Sequence, residues 1–192
     1  MCVATIIMPT YIHYLNFTLG FFSIILQLLS LLALVFLFFG PKKNKFLAFV
    51  KEHFLIIGFV ISFFAVLFSL FYSEIVGFLP CKLCWFQRIF IFSQVVLFGM
   101  AYIKKDRKVA HYSFPLLATG FFIAIYQNFI YYFGEGTASC DPSGVSCVQR
   151  LVDEFGGYIS FPMFSLITFI ALMTILVVAR FYKKQKELND YL

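Results

Sequence analysis

Residues 54–72 read FLIIGFVISFFAVLFSLFY and run, through Ser73-Glu74-Ile75-Val76-Gly77-Phe78-Leu79, into Pro80-Cys81-Lys82-Leu83-Cys84-Trp85-Phe86-Gln87-Arg88. The first segment carries no charge and has the roughly 20 residues that a membrane-crossing helix needs. The second opens another such run, residues 84–103, with two cysteines and one arginine at its mouth. Working outward from this pair, equally apolar stretches occupy residues 17–39, 112–133 and 161–179. Five membrane spans are therefore expected, with short connections except at residues 134–160.

Composition supports the same class. Of 192 residues, 62% are hydrophobic, 21% aromatic and only 12% charged, which excludes a soluble domain of this size. The first span has no basic residue before it and ends in Gly40-Pro41-Lys42-Lys43-Asn44-Lys45 without a small-x-small cleavage site. It reads as a retained anchor and not as a signal peptide.

Basic residues stay on the cytoplasmic side of a membrane, so their positions orient the spans. Lys42, Lys43, Lys45 and Lys51 follow span one, Lys104, Lys105, Arg107 and Lys108 follow span three, and Arg180, Lys183, Lys184 and Lys186 follow span five: twelve of the fifteen. The N-terminus is then outside and the C-terminus inside. The net charge of +6 is used up as a topology signal, leaving no basic stripe for nucleic acid. The expected organisation is a tail, first span and basic loop over residues 1–53, a four-helix bundle over 54–180 with its outer loop at 134–160, and a cytoplasmic tail over 181–192.

In this orientation Cys81 and Cys84 face out of the cytoplasm, and so do Cys140 and Cys147. Cysteines on that side can be oxidised, whereas cytosolic thiols are kept reduced. Two thiols three residues apart can close a disulfide, and a helix N-terminus stabilises a thiolate. Pro80 suits the first turn of a helix, so span three is expected to begin there and to hold both cysteines in its opening turns. Arg88 lies four residues beyond Cys84 on the same face, about 6 Å deeper at about 1.5 Å per residue. A guanidinium inside a span costs on the order of 2.5–3.5 kcal/mol at the helix centre, less near the interface, and marks function more often than it snorkels. A lipid-soluble quinone needs polar contacts to its carbonyl oxygens and an aromatic, apolar slot. Arg88, Gln87 and Trp85 supply both kinds of contact.

The loop over residues 134–160 opens with turn-rich Gly134-Glu135-Gly136-Thr137 and Asp141-Pro142-Ser143-Gly144. After Cys147, the apolar Val148, Leu151, Val152 and Phe155 recur at helical spacing, which suggests a short amphipathic helix on the membrane surface. Gly156-Gly157 would let that helix hinge.

Pro80-Cys81-Lys82-Leu83-Cys84-Trp85-Phe86-Gln87-Arg88, an outer cysteine pair, and Gly157-Tyr158-Ile159-Ser160-Phe161-Pro162-Met163 entering the last span together resemble the DsbB/BdbC family of disulfide-bond formation proteins. The likeness covers about residues 54–180. It implies a four-helix membrane bundle in the bacterial cytoplasmic membrane, a DsbA/BdbD-like thioredoxin-fold thiol oxidase as extracytoplasmic partner, and a membrane quinone, ubiquinone or menaquinone, as electron acceptor, with no metal. By position it implies that Cys140 forms the mixed disulfide with the partner, that Cys147 exchanges with Cys81, and that Cys84 faces the quinone beside Arg88. Span one is extra to the family's four, and the compact Cys140-x6-Cys147 spacing resembles the BdbC-like branch.

Other readings of the same residues are a zinc site built from four outer cysteines, a vitamin K epoxide reductase-like quinone enzyme, and a scaffold whose loop is merely stapled. His13, His53 and His111 are scattered on both sides and cannot share a metal. Gln127 and Asn128 within span four read as interhelical hydrogen-bonding groups or as lining of the quinone slot. Cys2 reads as an incidental thiol and Glu74 as a lone outer acid.

Overall fold

The computed structural model describes residues 10–40, 44–133 and 156–182. Cys2, Cys140, Cys147 and the expected surface helix over residues 148–155 lie outside the described residues. The described chain is helical: α1 (Thr10–Phe39), α2 (Lys45–Leu70), α3 (Lys82–Lys104), α4 (Val109–Phe133) and α5 (Phe161–Phe181). All five are long and apolar enough to cross a membrane.

The expected apolar runs sit inside longer helices, because helix ends extend past the hydrocarbon layer into polar residues. α2 shows this best. It starts at Lys45, where the Asn44 side chain caps it by accepting the Phe46 N–H at 2.9 Å, and Leu47 and Val50 are already buried before the apolar run begins.

α2 packs on α3 and α5, α3 on α4, and α4 on α5, so these four helices close into a ring. α1 stands outside it, against α5 and lightly against α2. Lipid tails are as apolar as leucine, so close packing holds such helices together. Gly58 of α2 and Gly120 of α4 make room for it: a Cβ at Gly58 would stand 2.8 Å from the Phe98 ring, and one at Gly120 would collide with the Phe169 ring. Both rings are fully buried, with Phe54, Leu117 and Leu172 around them.

Polar contacts close the ring at both ends. At the basic end, the Tyr182 hydroxyl donates to the Asn44 carbonyl at 2.9 Å and accepts from the Asn44 N–H at 3.1 Å, which ties the end of α5 to the start of α2. At the other end, the buried Asn128 amide donates to the carbonyls of Ala124 and Pro162, which ties α4 to the start of α5.

Candidate active site

The site begins where α2 fails to stop cleanly. Residues Phe71–Ile75 form one π-helical turn, wider than an α turn, before the chain leaves the helix through Gly77 at φ 79°. Single π turns of this kind recur at functional sites. Ser69, in the last turn of α2, and Ser73, in the π turn, both face α3. Arg88 takes both: Nε donates to Ser69 Oγ at 2.9 Å, Nη2 to the Ser69 carbonyl at 2.8 Å, and Nη1 to Ser73 Oγ at 3.4 Å. Ser73 donates in turn to Glu74 Oε1 at 3.2 Å, so the acid that looked solitary in the sequence is joined to Arg88 through one hydroxyl.

α3 starts at Lys82, two residues after Pro80, which corrects the expected start. Cys81 has ψ 172°, an extended value that no helical residue can hold, and it is therefore the N-cap; its carbonyl accepts the first helical bond from Trp85 N–H at 3.1 Å. Cys84 follows in the first turn. An N-cap side chain turns back over the third helical residue, which brings the two sulfurs to 3.4 Å. Cys81 is disulfide-bonded while the Cys84 thiol is free, so the bond does not join these two.

α4 supplies the residue that touches both sulfurs. Gln127, 2% exposed, directs Nε2 to Cys84 Sγ at 3.3 Å and to Cys81 Sγ at 3.8 Å. Its Oε1 accepts from Gln87 Nε2 at 2.7 Å, and that bond fixes which end of the Gln127 amide faces the sulfurs. Trp85 is exposed, with the Arg88 guanidinium 5.3 Å from its ring centroid. The sequence showed Gln127 only as one of two polar residues in a span. The structure separates them: Gln127 faces the cysteines and Asn128 braces α5.

Cys84, Gln87, Arg88 and Gln127 lie in the lining of a cavity of about 670 Å³, together with hydroxyl residues such as Ser69, Ser165 and Thr168. Most of the remaining lining is apolar or aromatic. Tyr72, Phe78 and Phe161 line it as a packed set, with Phe78 and Phe161 stacked at 4.7 Å and Tyr72 edge-on to Phe161 at 4.8 Å. A volume in the hundreds of Å³ with a few convergent polar groups is the form of a small-molecule site. Among the described residues, no group of three or more His, Cys, Asp and Glu side chains is placed to hold a metal ion.

The family described as "Disulfide bond formation protein DsbB" matches residues 51–179. The chain belongs to the DsbB family. It is 33% identical to "Probable disulfide formation protein C 2" of Bacillus anthracis over 138 residues, which cover 72% of this chain and 97% of the relative. It is 34% identical to "Disulfide bond formation protein C" of Bacillus subtilis (strain 168) over 134 residues, 69% of this chain and 96% of the relative. No solved structure matches the chain. Membership places the protein in a membrane disulfide oxidation system, with a disulfide-forming oxidoreductase role. Cys81, Cys84, Gln87, Arg88 and Gln127 all lie within the matched region, and the whole of α1 precedes it.

Proposed function

We propose that this protein re-oxidises an extracytoplasmic thioredoxin-fold dithiol oxidase and passes the two electrons through two cysteine pairs to a membrane quinone. The observation that carries the reading is the free Cys84 thiol in the lining of an apolar cavity that also presents Gln87, Arg88 and Gln127. Those residues fit a quinone: amide and guanidinium N–H groups suit its carbonyl oxygens, and the Tyr72–Phe78–Phe161 set suits its ring. The distribution of basic residues supports placing this end of the bundle outside the cytoplasm.

The exchange steps balance without a metal. A partner thiolate attacks the Cys140–Cys147 disulfide, forming a mixed disulfide with Cys140 and releasing the Cys147 thiolate. The second partner thiolate then displaces Cys140, so the partner leaves oxidised and the loop pair is left as a dithiol. The Cys147 thiolate attacks Cys81 of the Cys81–Cys84 disulfide and releases Cys84. Cys81 held in a disulfide beside a free Cys84, as found here, is the arrangement this step requires. Cys140 then displaces Cys81, restoring the loop disulfide and leaving Cys81 and Cys84 reduced. The chemistry a bound quinone supplies is acceptance of two electrons and two protons. Gln127 holds the Cys84 sulfur by hydrogen bond, and Arg88 places a permanent positive charge where the thiolate forms.

Trapping tests the order. Cys147→Ala should accumulate a mixed disulfide between Cys140 and the partner, visible on non-reducing gels. Capture through Cys147 in Cys140→Ala would reverse the two roles. No trapped species in either variant would remove the loop pair from the pathway.

A further inference from the structure

The cavity has a wall that the family region does not contain. Besides α2, α3, α4 and α5, its lining includes Leu15, Leu19, Phe22 and Leu26 of α1, with Thr18 and Ser23 between them. The four apolar residues fall at spacings of four, three and four, one stripe along one face of the helix. From Leu15 to Leu26 that stripe runs about 16 Å at about 1.5 Å per residue. The two hydroxyls add no free donor, since Thr18 donates to the Tyr14 carbonyl at 2.8 Å and Ser23 to the Gly20 carbonyl at 2.7 Å. The α1 wall therefore offers mostly apolar surface and no free donor, while every amide and guanidinium group lining the cavity comes from α3 and α4.

α1 is also fixed in place by polar contacts at this end. The Tyr72 hydroxyl, itself at the cavity, donates to the buried Asn16 side chain. Farther along, Gln27 and Tyr158 exchange two hydrogen bonds, at 2.8 and 2.9 Å, which tie α1 to the segment entering α5. Interhelical hydrogen bonds of this kind in a membrane help to fix one helix position.

We propose that α1 is the tail wall of the acceptor site: its Leu15–Leu19–Phe22–Leu26 stripe contacts the polyprenyl chain of the quinone whose ring lies at Cys84 and Arg88. The inference rests on the quinone reading above and deepens it. A stripe without donors cannot select between ring carbonyls, but it can grip a hydrocarbon tail. α1 should thus determine how strongly tailed and tail-less quinones differ.

The test uses the full-length protein in lipid nanodiscs, with bound quinone extracted and quantified. A tetraprenyl menaquinone is compared with menadione, which has the same ring and no tail. Leu19→Trp, filling the stripe, should weaken tetraprenyl binding about tenfold, the equivalent of roughly 1.4 kcal/mol, and leave menadione binding unchanged. Leu28→Trp, on an exposed face of the same helix, should change neither. In the parental protein, a tetraprenyl analogue carrying a diazirine at the tail end should leave adducts on residues 15–26. Adducts confined to α2–α5, equal tetraprenyl affinity in Leu19→Trp, or an equal loss of both quinones would overturn the tail wall. If the parental protein binds neither quinone, the acceptor reading itself fails. The adduct map needs no variant to fold.

Discussion

Arg88→Lys keeps a positive charge at the cavity and should still lose most of the acceptor binding. Arginine has five N–H groups in a planar fork, and lysine has three on one tetrahedral nitrogen. In the structure three of the five are engaged: one each from Nε, Nη1 and Nη2, all spent on Ser69 and Ser73. One N–H on each terminal nitrogen is left for a ligand at the cavity. A lysine ammonium that replaces the hold on Ser69 and Ser73 has no donor to spare, and one that turns to the ligand abandons the π turn. A hydrogen bond to a charged group is worth about 1.5–3 kcal/mol, so the quinone KM should rise roughly 10- to 100-fold at about 1.4 kcal/mol per decade. The assay is oxidation of the reduced partner by protein in liposomes at graded quinone concentrations, with the redox state of the four cysteines followed by thiol alkylation. The cysteines should still form disulfides. A parental quinone KM in Arg88→Lys would refute the donor count, and parental behaviour in Arg88→Ala would remove Arg88 from the site.

Gln127→Leu removes the donor to Cys84 with little change in volume. In the fully reduced protein at neutral pH, alkylation of Cys84 by iodoacetamide should slow about tenfold, since a charge-assisted hydrogen bond of about 1.5 kcal/mol no longer favours the thiolate; an unchanged rate would reduce Gln127 to a packing residue. Gly120→Ala forces a methyl group into the fully buried Phe169 ring. The overpacking costs about 1–3 kcal/mol, and the melting temperature should drop. Gly99→Ala is the control, because its Cβ would sit 3.2 Å from the partly buried Phe59 ring, and it should melt close to the parent. Equal melting of both variants would contradict the packing at Gly120.

The five spans were legible in the sequence because nothing but membrane length produces such apolar runs, and lysines at their ends punctuate them. The Cys81-x-x-Cys84 pair and Arg88 were legible for a related reason: thiols at a span mouth and a charge inside one are costly, so they stand out. Two parts of the site left no such mark. The π turn over Phe71–Ile75 lies in an apolar helix whose composition is the same for either helix type, and Ser69 and Ser73 acquire meaning only when Arg88 arrives from α3. Gln127 was visible as a polar residue, but which of Gln127 and Asn128 meets the cysteines depends on the rotation of α4 against its neighbours, which no local pattern in the span encodes. The role of α1 was hidden for the opposite reason. A leucine stripe at helical spacing looks alike whether it meets lipid, protein or a cavity.

Anaerobic turnover of purified protein with a reduced thioredoxin-fold partner and a membrane quinone tests the central claim most directly. One quinol should form for each partner disulfide, and Cys84→Ser should form none while its loop cysteines still exchange with the partner. Partner oxidation without quinol formation, or quinol formation at the parental rate in Cys84→Ser, would contradict the account.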